Sequence, residues 1–411
     1  MSPAQPQYSQ QEAWSRERAQ LDSLTGLRIL AAVWVMLHHF RDVTPTKTWS
    51  FPLIDGFILH GGRYGVDLFF VLSGFILSHV YFEQFREGIS RAGFRSFLSY
   101  RFARLYPVHI VTFLMMVVLF VGALLSTGIS STDSNRYSVW TFLATLTMTH
   151  AWWAAGMGPT TDTVGATLTL TPTPNVPAWS ISAEWFAYLL FPVLCLVIAR
   201  LRVAPVLFVV AGCGLAVVWE ELTGHLLIRV MAGFLVGMAA YRLAHHSTKL
   251  ARIPALGVVI VALIVLWTMI TDPPRVEIGI LLFAALVLAL TSERDWFGRM
   301  LSRRTMVYLG EVSYAVYMVH WIVRVAVRQT AEKAGVLDTI PPGLIVATYI
   351  VVTVLAAIAL YHFVERPWRR RLRRMLAPRT TARPVVKKSL AGESQPPRGQ
   401  IPATAGEAGG S

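Results

Sequence analysis

Long apolar runs recur along most of the chain and alternate with short polar or charged segments. A helix needs about 20 predominantly apolar residues to cross the hydrocarbon core of a bilayer. The pattern therefore predicts an all-α polytopic membrane protein with about ten transmembrane helices. The predicted spans are 26–42, 63–83, 105–126, 182–199, 204–219, 227–243, 254–270, 276–291, 306–325 and 342–362.

Whether one further apolar segment, residues 139–153, crosses the membrane can be judged from the charges of the connections on either side of it. The connection 84–104 carries five arginines and the segments 242–252 and 294–304 are also basic, whereas the loop 155–178 contains no Lys or Arg. Basic connections favour the cytoplasmic side of a membrane. The basic connections can all be cytoplasmic, with the loop 155–178 outside, only if residues 139–153 do not cross the membrane. We therefore expect this segment to be re-entrant or half-buried. Both chain termini are then predicted to be cytoplasmic.

The ends of the chain differ from its middle in composition. Residues 1–22 are predicted to form a disordered cytoplasmic arm, residues 23–370 the transmembrane domain, and residues 371–411 a basic, disordered cytoplasmic tail. The formal net charge is +14, and only 15% of residues are charged. Basic residues beside membrane spans attract anionic headgroups, so membrane lipid is an expected partner and nucleic acid is not.

The first span carries ionisable side chains that are unfavourable inside a membrane, which makes a functional role the default interpretation. At 100° per residue, Arg28 and His39 lie within about 20° of full register and about 16 Å apart along the helix. His38 points about 80° away from Arg28. The register therefore predicts that His39 cooperates with Arg28. A histidine bonded to a nearby carbonyl is the alternative.

The second span contains Asp67 and the Ser73–Gly74 break. A carboxylate in an apolar run needs a partner. Asp67 and His39 are both predicted to lie in the outer third of their spans, so we expect the two to meet. Gly74 permits a kink or a close approach between helices.

Two further charged sites each have an ordinary and a functional explanation. Arg101 and Arg104 occupy neighbouring positions at the predicted cytoplasmic mouth, where they either flank the span or bind a phosphate-bearing ligand. Glu184 lies in the first turns of a helix, where it either interacts with the helix dipole or orients the His39 imidazole. Glu365 is expected to pair with a nearby arginine. No metal site is predicted.

Six motifs occur in one order along residues 22–370. Together they resemble the acyltransferase-3 family of integral membrane O-acyltransferases. The motifs are RILAAVWVMLHHF, GRYGVDLFFVLSGFILS, YRFARLYP, VPAWSISAEWFAYLLFP, LGEVSYAVYMVHW and FVERP.

The resemblance implies roles for particular residues. It implies that His39 is catalytic, and a glutamate of its motifs matches Glu184. Glu184, and Asp67 from its depth in the second span, are the expected supporting carboxylates. The residues expected to contact an acyl-CoA donor are Arg28, Arg101, Arg104, Ser73 and Gly74.

The implied reaction moves an acyl group, expected to be acetyl, from acyl-CoA to a hydroxyl of a carbohydrate or cell-envelope glycan. Acylation of a glycosylated small molecule such as a macrolide antibiotic is an alternative. A multi-span transporter that uses the same buried charges is an alternative of another class.

Overall fold

The structure is a computed structural model. It describes residues 10–40, 53–127, 138–152, 160–161, 167–168, 173–201, 204–221, 226–246, 256–270, 275–291, 296–336 and 339–376. All of these residues belong to one unit, Met1–Leu376.

The described residues form helices almost throughout. The helices are α1 (Gln10–Phe40), α2 (Gly65–Phe85), α3 (Arg91–Thr127), α4 (Val139–Leu146), α5 (Trp179–Arg200), α6 (Ala204–Glu221), α7 (Leu226–His246), α8 (Leu256–Ile270), α9 (Val276–Leu290), α10 (Trp296–Leu301), α11 (Arg304–Lys333), α12 (Pro342–Leu360) and α13 (Arg366–Leu376). Shorter π- or 3₁₀-helical turns are Leu53–His60, Gly61–Tyr64, Val176–Ala178 and Tyr361–Glu365. Thr160–Thr161 (β1) pairs antiparallel with Thr167–Leu168 (β2).

Within these residues, seven helical stretches are long and apolar enough to cross a membrane. They are Asp22–Phe40, Gly56–Phe85, Arg91–Gly122, Val176–Arg200, Leu226–Ala244, Arg304–Lys333 and Gly343–Leu372. The apolar helices in α6, α8 and α9 are shorter. A helix of 15 residues such as α8 is about 22 Å long, less than the hydrocarbon thickness of about 30 Å. The helices are consistent with a multi-pass membrane protein, but the predicted count of about ten is not confirmed.

The segment predicted to be half-buried contains α4, which has only eight residues. One face of α4 packs on the bundle through the buried Ala144 and Thr145, and the opposite face exposes Trp140 and Leu143. An eight-residue helix of about 12 Å is too short to cross a bilayer. Helix α4 therefore does not cross a bilayer by itself, which is consistent with the expected half-buried segment.

Part of each chain end that was expected to be disordered is helical. Helix α1 begins at Gln10, inside the arm 1–22, and α13 continues to Leu376. The rest of the predicted tail, residues 377–411, lies outside the described residues.

Glycines allow α1 to lie directly against its neighbours. A Cβ added at Gly310 of α11 would stand 1.9 Å from the Thr25 carbonyl oxygen, and one at Gly26 would stand 2.1 Å from that of Leu301. Backbones come this close only where side chains are absent, a common arrangement between membrane helices. The contact aligns α1 with α11, the helix that completes the site described below.

Helices α2 and α7 make a similar contact. A Cβ at Gly74 would lie 2.2 Å from the Phe234 carbonyl oxygen, and one at Gly237 would lie 2.2 Å from that of Val71. Gly74 therefore faces α7 and holds two helices together. The expectation that it contacts a donor is not supported by its position.

We expect Gly74→Ala to lower the melting temperature of the purified protein, because overpacking typically destabilises by about 1–3 kcal/mol and here the obstacle is backbone. Gly214→Ala is the matched control, since no atom lies within 4 Å of its added Cβ. Alanine is the better helix former by about 1 kcal/mol, so this control should be neutral or stabilising. Equal melting temperatures for the two variants would contradict the packing role.

Candidate active site

The imidazole of His39, at the end of α1, lies against His320 of α11. His39 Nδ1 is 3.0 Å from the Val35 carbonyl oxygen and 3.2 Å from His320 Nε2. His320 is fully buried, and its Nδ1 lies 2.6 Å from the Tyr317 carbonyl oxygen. The two rings therefore form a short relay that ends on the α11 backbone.

One arrangement of protons satisfies all these contacts. Carbonyl oxygens only accept hydrogen bonds, so Nδ1 of each histidine carries the proton. The Nε2 of His320 then accepts from His39 Nδ1, which shares its proton with the Val35 carbonyl. The lone pair of His39 consequently resides on Nε2. No residue that the structure describes is hydrogen-bonded to that atom, which suits a general base.

Aromatic packing holds the end of α1 in place. The His39 ring lies edge-on to Trp321, with centroids 5.4 Å apart. The next residue, Phe40, stacks on Tyr349 of α12 at 3.8 Å. His38 instead lies beside Gly62, where an added Cβ would be 2.7 Å from the His38 Cβ. His39, the histidine that the helical register selects, is the one that contacts α11.

Polar contacts also tie the start of α5 to α11 beside His320. The Tyr317 hydroxyl donates to the Pro177 carbonyl oxygen at 3.0 Å and lies 2.7 Å from Ser180 Oγ. The Asn175 amide donates to the Met318 carbonyl oxygen at 3.0 Å. The backbone that surrounds the histidine relay is thus held from two helices.

A second group of charged residues lies towards the other end of α1. We call it the Arg28 cluster: Arg28, Arg104, Glu184, Tyr188 and Glu365, all within electrostatic range of the Arg28 guanidinium. Arg28 forms no hydrogen bond or ion pair with any residue in the described ranges. Its guanidinium is therefore available to an anionic ligand.

The carboxylate of Glu184 accepts two short hydrogen bonds. Ser73 Oγ donates to its Oε1 at 2.6 Å, and the Tyr188 hydroxyl donates to the same oxygen at 2.5 Å. Glu184 therefore belongs to the Arg28 cluster, and the sequence-based placement beside His39 is wrong. The group that orients His39 is His320. Ser73 supports Glu184 from the neighbouring helix.

The two arginines of the third span have different partners. Arg104 makes a 2.8 Å ion pair with Glu365, whose side chain is fully buried and also lies 3.4 Å from Arg369. Arg101 donates to the Tyr81 hydroxyl at 3.1 Å and lies over the Tyr81 ring. The expected pairing of Glu365 with an arginine is confirmed, and Arg104 contributes to the interior of the site.

Asp67 is not a partner of His39. Its two carboxylate oxygens accept from Arg229 Nε at 2.9 Å and Arg229 Nη2 at 2.8 Å. Arg229 Nη2 also donates to the Arg63 carbonyl oxygen at 3.1 Å. A bidentate pair in apolar surroundings is stronger than a contact with a neutral imidazole. The expected meeting of Asp67 and His39 is therefore replaced by a structural ion pair.

Comparison with known proteins identifies the family. The profile of the acyltransferase domain designated Acyl_transf_3 matches residues 21–362. The chain belongs to the acyltransferase-3 family. This membership favours acyltransferase activity over the transporter alternative.

Two relatives illustrate the range of the family. "Acyltransferase MdmB" of Streptomyces mycarofaciens is 27% identical over 391 residues, which cover 86% of this chain and 93% of MdmB. "Putative peptidoglycan O-acetyltransferase YrhL" of Bacillus subtilis is 26% identical over 384 residues, which cover 85% of this chain. The chain spans only 55% of YrhL. No solved structure is significantly similar to the chain.

Two residues of the candidate site, His320 and Glu365, were not placed in it from the sequence, and neither was Arg229, the structural partner of Asp67. His320 and Glu365 lie inside the quoted motifs LGEVSYAVYMVHW and FVERP. Arg229 is an arginine within the apolar run of α7, and such residues usually have a buried partner. The expectation that a charged residue inside an apolar span has a buried partner was applied to the first two spans. Applied to α7 as well, it would have pointed to Arg229 as a partner for Asp67.

Proposed function

We propose that the chain is a cell-membrane O-acyltransferase with both termini in the cytoplasm. It transfers an acyl group, in the simplest case acetyl, from acyl-CoA to a hydroxyl of a carbohydrate or cell-envelope glycan. The observation that carries the proposal is a pair of residues on α1. His39 has an available Nε2 lone pair, and Arg28 has no hydrogen bond or ion pair with any residue that the structure describes. The similarity to a relative named for peptidoglycan O-acetylation supports the choice of acceptor.

The histidine relay supports one sequence of proton movements. The acceptor hydroxyl gives its proton to His39 Nε2 while its oxygen attacks the thioester carbonyl carbon. When the tetrahedral intermediate collapses, the carbon–sulfur bond breaks and the departing thiolate takes the proton from the imidazolium. His320 Nε2 accepts from His39 Nδ1 throughout, which fixes the tautomer and stabilises the positive ring. Alternatively, His39 Nε2 attacks the thioester carbonyl itself, and the carbon–sulfur bond breaks to release CoA thiolate. The acceptor hydroxyl then attacks the acyl-imidazolium, which restores the neutral ring, and its proton passes to the thiolate.

The Arg28 cluster suits the anionic part of the donor. Arginine binds phosphate oxygens through its planar fork of donors. Arg28 is available, while Arg101 and Arg104 lie at the same end of the bundle. Along α1, Arg28 and His39 are about 16 Å apart, a distance that the extended arm of CoA would bridge between its phosphates and its thioester.

We expect Arg28→Gln to lower kcat/KM for acetyl-CoA by about 10- to 100-fold, because a hydrogen bond to a charged group contributes about 1.5–3 kcal/mol. The measurement is the initial rate of transfer as a function of acetyl-CoA concentration. Arg91→Gln is the matched control, since Arg91 is exposed at the start of α3. If Arg28→Gln and Arg91→Gln behave alike, Arg28 does not bind the donor.

The reaction itself is tested with membranes that contain or lack the protein. Acetyl-CoA labelled in its acetyl group is added together with either isolated envelope glycan or an extract of glycosylated small molecules. We expect base-labile, ester-linked label in one acceptor pool, only when the protein is present. Mass spectrometry of that pool identifies the acceptor. Absence of ester-linked label from both pools would contradict the proposal, and substrate flux without consumption of acetyl-CoA would favour a transporter.

A further inference from the structure

A partly open cleft lies where α13 meets α11 and the end of α12. Its volume is about 320 Å³, and its lining is basic and aromatic: Tyr308, Glu311, Tyr361, Arg366, Arg369 and Arg370. The single carboxylate in this set accepts a hydrogen bond from the Tyr361 hydroxyl. Three arginines against one engaged carboxylate leave the cleft with a net positive charge.

The cleft is linked to the Arg28 cluster through one buried carboxylate. Arg369, in the cleft wall, lies 3.4 Å from Glu365 Oε1, and Arg104 lies 2.8 Å from the same oxygen. Arg104 is in turn within electrostatic range of Arg28. The cleft and the Arg28 cluster are therefore neighbours, with the buried Glu365 between them.

The side chains of the cleft suit a ligand that carries both phosphate and an aromatic base. Arg366 and Arg370 are exposed and can present their guanidinium forks to phosphate oxygens. Tyr308 is partly exposed, and its hydroxyl is anchored 3.0 Å from His362 Nε2. An anchored tyrosine ring offers a flat surface on which a base can stack.

We infer that this cleft binds the phosphorylated adenosine end of the acyl-CoA donor. The inference rests on the proposed function and extends it, because it adds a nucleotide subsite formed by residues other than Arg101 and Arg104. The 3′-phosphate lies between Arg366 and Arg370, the adenine stacks on Tyr308, and the diphosphate reaches Arg104 and Arg28, from which the thioester arm continues towards His39.

An anionic lipid headgroup shares the phosphate chemistry but is the weaker choice. Arg371, Arg374 and Arg370, which the two sites share, line a second depression along α13 together with Pro367 and Met375, and a headgroup would bind there without an aromatic partner. Of these two depressions, the Tyr308 cleft is the one that combines phosphate-binding arginines with an aromatic ring and a link to the Arg28 cluster.

The test is direct binding of adenosine 3′,5′-bisphosphate and of CoA to the purified full chain in detergent. The double variant Arg366→Gln/Arg370→Gln removes two cations from the cleft. The matched control Arg371→Gln/Arg374→Gln removes two cations from the same helix outside it. We expect the affinity for both ligands to fall about tenfold or more in the first variant and to stay near the wild-type value in the second.

Tyr308→Leu separates base stacking from charge. Its affinity for adenosine 3′,5′-bisphosphate should fall about tenfold, while its affinity for inorganic pyrophosphate should be unchanged. Equal losses in the two arginine variants, or no loss in either, would overturn the inference and leave the proposed function intact. A cleft-specific loss that affects only vesicles containing phosphatidylglycerol would assign the cleft to lipid. If the wild-type chain binds no CoA, the proposed donor and this subsite are both wrong.

Discussion

Replacing His39 by alanine should lower the rate of acyl transfer by about 10²- to 10⁴-fold, the range typical for loss of a general base. The variant removes the Nε2 lone pair and the ring that contacts His320. Binding of the donor should be largely retained, because the Arg28 cluster lies about 16 Å away along the helix. The measurement is a steady-state rate with saturating acetyl-CoA and the identified acceptor.

The neighbouring residue provides a matched control for this prediction. His38→Ala removes the same chemical group one position earlier, where it lies beside Gly62 and not against His320. We expect its transfer rate to stay close to that of the wild type. Equal losses in His38→Ala and His39→Ala would show that either substitution damages the end of α1, and the assignment of the base would fail.

The second large effect is expected on stability. Asp67→Asn should destabilise the protein by about 3–5 kcal/mol, because it leaves Arg229 as a buried charge without its counter-ion. The Asp67 side chain is 1% exposed and that of Arg229 is 9% exposed. The measurements are the melting temperature in detergent and the yield of monodisperse protein.

A double substitution tests whether Asp67 acts only through Arg229. In Asp67→Leu/Arg229→Met both charges are absent, and replacing a buried ion pair by apolar residues is often neutral or stabilising. We expect this variant to recover most of the lost melting temperature and to keep His39-dependent turnover. A stable double variant without activity would show instead that Asp67 takes part in catalysis, as its expected depth beside His39 suggests.

The helical architecture could be predicted because apolar patterning along a membrane helix is a strong local signal. The register of the first span was equally informative: 3.6 residues per turn selects His39, and His39 is the histidine that contacts α11. The number of membrane-spanning helices is harder to predict from the sequence. Helices α8 and α9 have 15 residues each, and composition does not reveal whether such helices cross the bilayer.

Partners within the bundle could not be predicted from depth. Depth places a residue along the membrane normal, but the rotation of each helix decides which neighbour it faces. Asp67 and His39 share an expected depth, yet Asp67 faces Arg229 on α7. That rotation follows from the close contact of α2 with α7 at Gly74, which the sequence presents only as a glycine with several possible uses.

The pairing of Arg104 with Glu365 shows the same limit over a long sequence separation, since the two residues are 261 positions apart. The expected type of partner was correct because a buried carboxylate needs a cation. The packing of the end of α12 against α3 decides which of several arginines pairs with Glu365, and the sequence does not show that packing.

The central claim is that His39 moves an acyl group from CoA to an acceptor hydroxyl, and a single-turnover experiment tests it most directly. Purified protein in proteoliposomes, in excess over labelled acetyl-CoA, is mixed with the identified acceptor, and free CoA thiol and acetyl ester are measured together. We predict one thiol released for each ester formed in the wild type and almost no release in His39→Ala. Thiol release that is equally fast in His39→Ala, or that is not matched by ester, would contradict the mechanism.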